Sequence, residues 1–199
     1  INGDVILNIY GGQIGDAFGG SNINGNITGS ITVNMDWSLA STDCNTDLSL
    51  GNVYGGSNLA AYTPTKAGNY PAVNIYHGTV THSVFGGGKG ATAVVTSNPI
   101  VTIGDDNANH YAVVTENVYG GGDAAAVTGN TRVLYNDNNA SSTVNNLFGG
   151  GNAAGVSGTA TVTLTSGKVL TGIYGGCNAS GTVGGAIALN INGGLVGTD

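Results

Sequence analysis

Residues 146–167, NLFGGGNAAGVSGTATVTLTSG, decide the architecture of this 199-residue chain. The stretch holds one aromatic, six glycines and no charge, and it offers no good acid, base or nucleophile at neutral pH. The same plan recurs in VYGGGDAAAVTGNTRVLYN at 118–136 and in IYGGCNASGTVGGAIALNINGG at 173–194. Recurrence of a plan without a reactive group points to a repeat architecture before it points to a site.

Aligning on an apolar residue, an aromatic and two glycines yields six copies: AFGGSN from Ala17, VYGGSN from Val53, VFGGGK from Val84, VYGGGD from Val118, LFGGGN from Leu147 and IYGGCN from Ile173. Between them lie seven alternating apolar elements, which usually end in glycine: VILNIYGG, SITVNM, AVNIYHG, IVTIG, TRVLYN, ATVTLTSG and AIALNINGG. The aromatics at 18, 54, 85, 119, 148 and 174 are 36, 31, 34, 29 and 26 residues apart, so register is kept while loop length varies. The shortest spacing fits one coil of two or three short strands. It is too short for a propeller blade of about 40 residues, and a β-sandwich gives no reason for a motif that recurs in one register. The expected fold is all-β: a single parallel β-solenoid spanning 1–199, a right-handed β-helix of about six to seven coils with polar inserts near 36–50, 60–71, 105–115 and 136–143. Each coil cannot bury its own apolar face, and stacking makes a continuous core.

Composition agrees with this and excludes several functions. There are 37 glycines against 15 charged residues, and the aliphatic residues are mostly β-branched, which favours strands and turns over helices. With a net charge of −7 and only Lys66, Lys89, Lys168 and Arg132 as fixed cations, the chain cannot build the basic footprint that nucleic acid requires. No segment approaches the roughly 20 apolar residues of a membrane-spanning helix. Cys44 and Cys177 are too few for a disulfide framework, and with more than four coils between them they are not expected to bond.

Two ladders follow from the register. The first stacks Phe18, Tyr54, Phe85, Tyr119, Phe148 and Tyr174, either as a scaffold half in the core with hydroxyls reaching water, or as an exposed stripe for sugar rings. The second stacks the residue after the glycines, Asn22, Asn58, Asp123, Asn152 and Asn178, with Lys89 in the third place. At about 4.8 Å per coil the amides can hydrogen-bond from coil to coil. Glycine, asparagine and aspartate at this corner suggest a backbone with positive φ.

The repeat VYGGGN…V.G.T.V.I.GG resembles the glycine-rich repeats of adhesin-like surface or secreted proteins of gut bacteria, Bacteroidetes and Firmicutes especially. The resemblance covers nearly the whole chain. It implies an extracellular or cell-surface β-helix of bacterial origin, and a scaffold rather than an activity.

Chemistry is sparse. Asn45-Thr46-Asp47, Asp105-Asp106 and His77-Gly78 are similar to motifs of polygalacturonase-like β-helices, but their order is wrong and the Arg-Ile-Lys motif is absent. His77, His82 and His110 read as exposed loop histidines without a basic neighbour. Calcium is the one cofactor considered: Asp43, Asn45 and Asp47 alternate in one insert and Asp105 and Asp106 adjoin in another, supplying hard oxygen donors. No bidentate glutamate follows, and turn-capping is the simpler role. The expected function is non-enzymatic: a structural or adhesive module. The closing element so resembles the opening INGDVILNIYGG that uncapped ends are expected to self-associate head to tail. The alternative is a carbohydrate-binding, less readily a carbohydrate-cleaving, β-helix with glycans as partners.

Overall fold

The computed structural model describes residues 1–41 and 47–197. The chain winds as a β-solenoid of about six turns, and every strand pairing is parallel. Face A stacks β1 (Val5–Ile9), β3 (Ile31–Asp36), the first half of β5 (Pro71–Val80), β7 (Ile100–Ile103), β9 (Thr131–Tyr135), β11 (Ala160–Leu164) and β13 (Ile187–Ile191). These are the seven alternating elements of the sequence. Face B stacks β2 (Gln13–Phe18), β4 (Ser49–Tyr54), the end of β5 with β6 (Val84–Phe85), β8 (Ala112–Tyr119), β10 (Thr143–Phe148), β12 (Lys168–Tyr174) and β14 (Leu195–Val196). A third edge is a column of single bridges, Tyr62 to Val95 to Val127 to Val156 to Val183. The only helical element among the described residues is a 3-10 turn at Trp37–Leu39.

Alternation on face A sends Val33, Val73, Val101, Val133 and Val162 into one continuous core, joined from face B by Leu50, Val80, Val114 and Val144. Face B breaks strict alternation in mid-strand: Val114 pairs with Val144 and Asn117 with Asn146, so an extra residue bulges between them. The bend brings Val53, Val84, Val118 and Leu147 back to the core and turns the next residue, the motif aromatic, to the outside. Tyr62, within the expected polar insert, is instead buried and donates its hydroxyl to the carbonyl of Gly29 at 2.7 Å.

The expected reason for the motif glycines needs correcting. None of the glycines in the six motif copies has positive φ, and the only non-glycine residue described with positive φ is Asp106 at 62°. What excludes a side chain is the neighbouring coil. A Cβ on Gly55 would lie 2.5 Å from the carbonyl oxygen of Gly86, and one on Gly120 equally close to that of Gly149. Coils approach so tightly because the backbone ladder continues through the corner: Gly55 N–H donates to Phe85 at 2.9 Å and Gly56 N–H to Gly87 at 3.0 Å. Positive φ recurs instead at the corner where face A turns into face B, as at Gly104 (78°) and Gly167 (105°).

Candidate functional site

Three features of the solenoid can carry function: the ladder face, the two end coils, and the corner after face A. On the ladder face, consecutive rings from Phe18 to Tyr174 stack with centroids 4.7–4.9 Å apart and planes within 16° of parallel. This spacing is the inter-strand distance itself, so the register of face B dictates the stack. Tyr54, Phe85, Tyr119 and Phe148 form a buried cluster separate from the main core, and Phe18 packs against it. The rings are outside the core yet buried, because each covers the faces of its neighbours. Only Tyr174, the last, is substantially exposed, at 47%.

The ring edges are lined by polar groups. The hydroxyl of Tyr119 accepts from the amides of Asn117 and Asn178 at 3.0 and 3.1 Å and donates to Asn152 at 3.4 Å. It is therefore engaged by amides rather than simply reaching water. Burial pushes the Tyr54 hydroxyl well above the ordinary phenol range, with Asp123 and Asp16 adding to the shift.

The amide ladder forms in two runs: Asn58 donates to Asn22 at 2.8 Å, and Asn178 to Asn152 and Asn152 to Asp123 at 3.0 and 2.8 Å. Lys89 interrupts it. Its ammonium reaches back over the rings of Phe18 and Tyr54, 5.8 Å from each centroid, to Asp16 at 2.7 Å. Beside the ladder lies a groove of about 400 Å³ walled by Lys89, Glu116, Asp123 and the ladder amides. Because the interior ring faces are covered, a sugar could meet them only edge-on, which forgoes the face contact that makes aromatic platforms effective.

At the end coils, strand pairing stops. Strand β1 pairs only with β3, and β13 only with β11. Ile187, Leu189 and Ile191 continue the core columns of Ala160, Val162 and Leu164 but are 53, 45 and 58% exposed. Residues 178–197 contain no charged side chain.

The corner after face A holds what the sequence reading missed. His77 is not an exposed loop histidine; it lies in β5 and is half-buried. A bulge places it opposite Asp36, because Met35 pairs with Ile75 and Asp36 with His77, leaving Tyr76 as the extra residue. Its ring sits 5.4 Å from Trp37, 4.6 Å from Tyr111 and 5.2 Å from the ring of His110, so it does have a basic neighbour. Both ring nitrogens are buried without a hydrogen-bond partner among the described residues. An orphaned buried polar group costs about 1–3 kcal/mol. Desolvation, reinforced by His110, lowers the His77 pKa against the opposing pull of Asp36, Asp105 and Asp137, which favours the neutral ring. His110 is held through Nδ1, 2.9 Å from Asp105 Oδ2, and Asn107 lies 3.2 Å from its Nε2. Asp36 accepts from the backbone and hydroxyl of Ser38 at 3.0 and 2.5 Å.

Among the described residues, the calcium candidates Asp47, Asp105 and Asp106 belong to no set of three close ligand groups. Asp105 caps Asn107 N–H and pairs with His110, while Asp106 accepts from Asn138. Asp47 is exposed, and Asp43 and Asn45 lie outside the described residues, as does Cys44. Cys177 is free and donates to the carbonyl of Ala154 at 3.4 Å. Among the described residues, the one set of three or more Asp, Glu, His or Cys ligand atoms close enough to share an ion is Asp36, His77 and His110. His82, the third histidine, lies outside this set, and its Nδ1 is 3.3 Å from the hydroxyl of Thr81. A spacing rule could not have found this set, since its members sit on three different coils, 41 and 33 residues apart. The single signal was the extra residue in AVNIYHG relative to SITVNM before the strand ends. No helix among the described residues is long and apolar enough to cross a membrane. Searches against protein-family models, curated proteins and solved structures find no match, so geometry and sequence pattern carry the functional reading.

Proposed function

We propose that the chain is a non-enzymatic structural module of an extracellular, adhesin-like bacterial β-solenoid, a length of stalk or filament built by stacking coils of one cross-section. The observation that carries this reading is the match between the first and last described coils. Val5, Leu7 and Ile9 of β1 correspond to Ile187, Leu189 and Ile191 of β13, Asn8 corresponds to Asn190, and the left-handed Gly12 to the left-handed Gly194, all at one offset of 182 residues. A further coil laid on β13 with the pattern of β1 extends the apolar columns and the backbone ladder. Edge strands that avoid pairing usually carry a lysine, a proline or a bulge; β13 has none of these. The added coil can come from a longer chain or from a second copy.

The test uses residues 1–199 as purified. Light scattering and electron microscopy should show concentration-dependent linear assembly, reduced by Leu189→Lys on the exposed edge. A monodisperse monomer whose β1 and β13 amides are protected from hydrogen exchange contradicts the proposal. Glycan binding, the second reading, would draw on the polar groove beside the ladder, and a glycan array on the same sample separates the two.

A further inference from the structure

We propose that Asp36, His77 and His110 form a binding site for a divalent first-row transition ion, best probed with zinc, at the corner where face A turns into face B. One ligand atom from each residue lies within 4.8 Å of the other two. Ligands bound at 2.0–2.2 Å around a tetrahedral ion sit about 3.3 Å apart, so a small side-chain closure completes the site. Two imidazoles and one carboxylate suit zinc and its neighbours, whereas calcium takes oxygen donors only.

Three independent observations point the same way. Both nitrogens of His77 are buried and unpartnered, which leaves a lone pair unused in a wall made by Trp37 and Tyr111. Asp105 grips the His110 ring from Nδ1, the carboxylate–imidazole pairing that orients and strengthens histidine ligands at metal centres, so the ion takes Nε2 in place of the Asn107 amide that lies 3.2 Å from it. Negative charge surrounds the corner: Asp36 is in the site, Asp105 is on His110, and the buried Asp137 of the next coil keeps one carboxylate oxygen without a partner. The three ligands come from three successive coils, since Asp36 of β3 pairs with His77 of β5 and His110 lies two residues before Ala112, which pairs with Gly78 at the end of β5. An ion there would fasten three coils together along the axis, independently of any assembly at the ends, and its fourth position stays open to water.

The experiment is a zinc titration of tag-free protein in competition with a chromophoric chelator, with Cys44→Ser and Cys177→Ser as the background so that thiols do not contribute. One zinc per chain with micromolar or tighter affinity is expected, together with a rise in Tm and shifts of the His77 and His110 ring signals in NMR spectra. His110→Gln, where the side chain is mostly buried, should weaken binding at least about tenfold, and Asp105→Asn about 10–100-fold, as losses around a metal do. The NMR shifts in the unmutated ligand set keep the test valid if a histidine variant unfolds. Failure to bind micromolar zinc, or binding that leaves both histidine signals unmoved, overturns the site.

Discussion

The glycine corner, where face B ends, and the corner where face A turns into face B differ in what the repeat permits. At the glycine corner each coil uses the same backbone positions: the N–H groups of Gly19, Gly55, Gly86, Gly120 and Gly149 all donate to the next coil at 2.8–3.0 Å. A side chain or an inserted residue there collides with the neighbouring main chain. At the other corner the connection varies from none, where β5 runs straight through Gly78, to the twelve residues 37–48 between β3 and β4. Among the described residues, five of the nine acidic residues (Asp36, Asp47, Asp105, Asp106 and Asp137) and two of the three histidines fall at that corner. The difference teaches where chemistry can live in a repeat: the corner that must be identical in every coil admits charge only at the ladder position after its glycines, at Lys89 and Asp123, and the corner free to vary collects the larger share of the carboxylates and histidines.

The largest expected effect is on the uniform side. Phe85→Ala removes the ring from the middle of the stack, exposing the faces of Tyr54 and Tyr119 together. The loss should be about 3–5 kcal/mol, the usual range for a buried aromatic, measured by chemical denaturation. Tyr174→Ala, with one ring face already open, should cost much less. Equal losses at the two positions would mean that the ladder is not a cooperative stack.

Gly120→Ala comes next. Its Cβ would meet the carbonyl of Gly149 at 2.5 Å and the Thr131 side chain at 2.9 Å. Backbone on the facing coil cannot rotate away as a side chain can, so about 1–3 kcal/mol is expected from overpacking. Gly176→Ala is the control, because nothing lies within 4 Å and its φ is not left-handed. If both substitutions are harmless, close approach is not why the motif requires glycine.

Much of this was legible in the sequence because it follows from period and register. The seven face A elements, the six motif copies and the membership of both ladders are all readable from strings such as VYGGGD and ATVTLTSG, since parallel stacking maps equal positions onto equal places. The purpose of the glycines was not legible. Glycine serves both left-handed backbone and close approach, and only the facing coil shows which applies at Gly55 or Gly120. Nor was the histidine corner, because one bulged residue, Tyr76, resets the register and brings His77 opposite Asp36, while His110 arrives from an insert of independent length. Periodicity describes what repeats, and that corner is made from what does not.

A third substitution contrasts the corners by sign. His77→Leu replaces two orphaned nitrogens with apolar volume beside Trp37 and Tyr111. In chelator-treated protein it should therefore leave stability unchanged or raise it by about 1 kcal/mol, the recovered cost of an unsatisfied group. A substantial loss of Tm in the presence of chelator would show that the histidine is structural in its own right.

The smallest effect is expected at Lys89, the one place where a cation enters the uniform ladder. Burial pushes the Asp16 carboxyl up, but hydrogen bonds from Lys89 and Asn52 and the Lys89 charge outweigh it and hold the pKa below the usual aspartate value. A depressed carboxylate pKa stabilises the fold above the unfolded-state value, near 3.9, and that contribution is lost as pH falls through the lower folded-state value. The Lys89 side chain is 40% exposed, so the pair should contribute only about 0.2–1 kcal/mol. Lys89→Asn removes the pair and the cation held over the Phe18 and Tyr54 rings, but it inserts an amide between Asn58 and Asp123, where the ladder is broken. The two changes oppose each other, so at pH 7 and low salt the Tm of the variant should lie within a few degrees of the parent. The informative quantity is how that difference varies with pH. If the ion pair matters, the parent's advantage should shrink below about pH 4, as Asp16 becomes protonated, and it should also shrink in high salt. A difference that is flat with both pH and salt would mean that the lysine acts through its alkyl stem packed over the ring edges, and that the ladder face tolerates charge without using it.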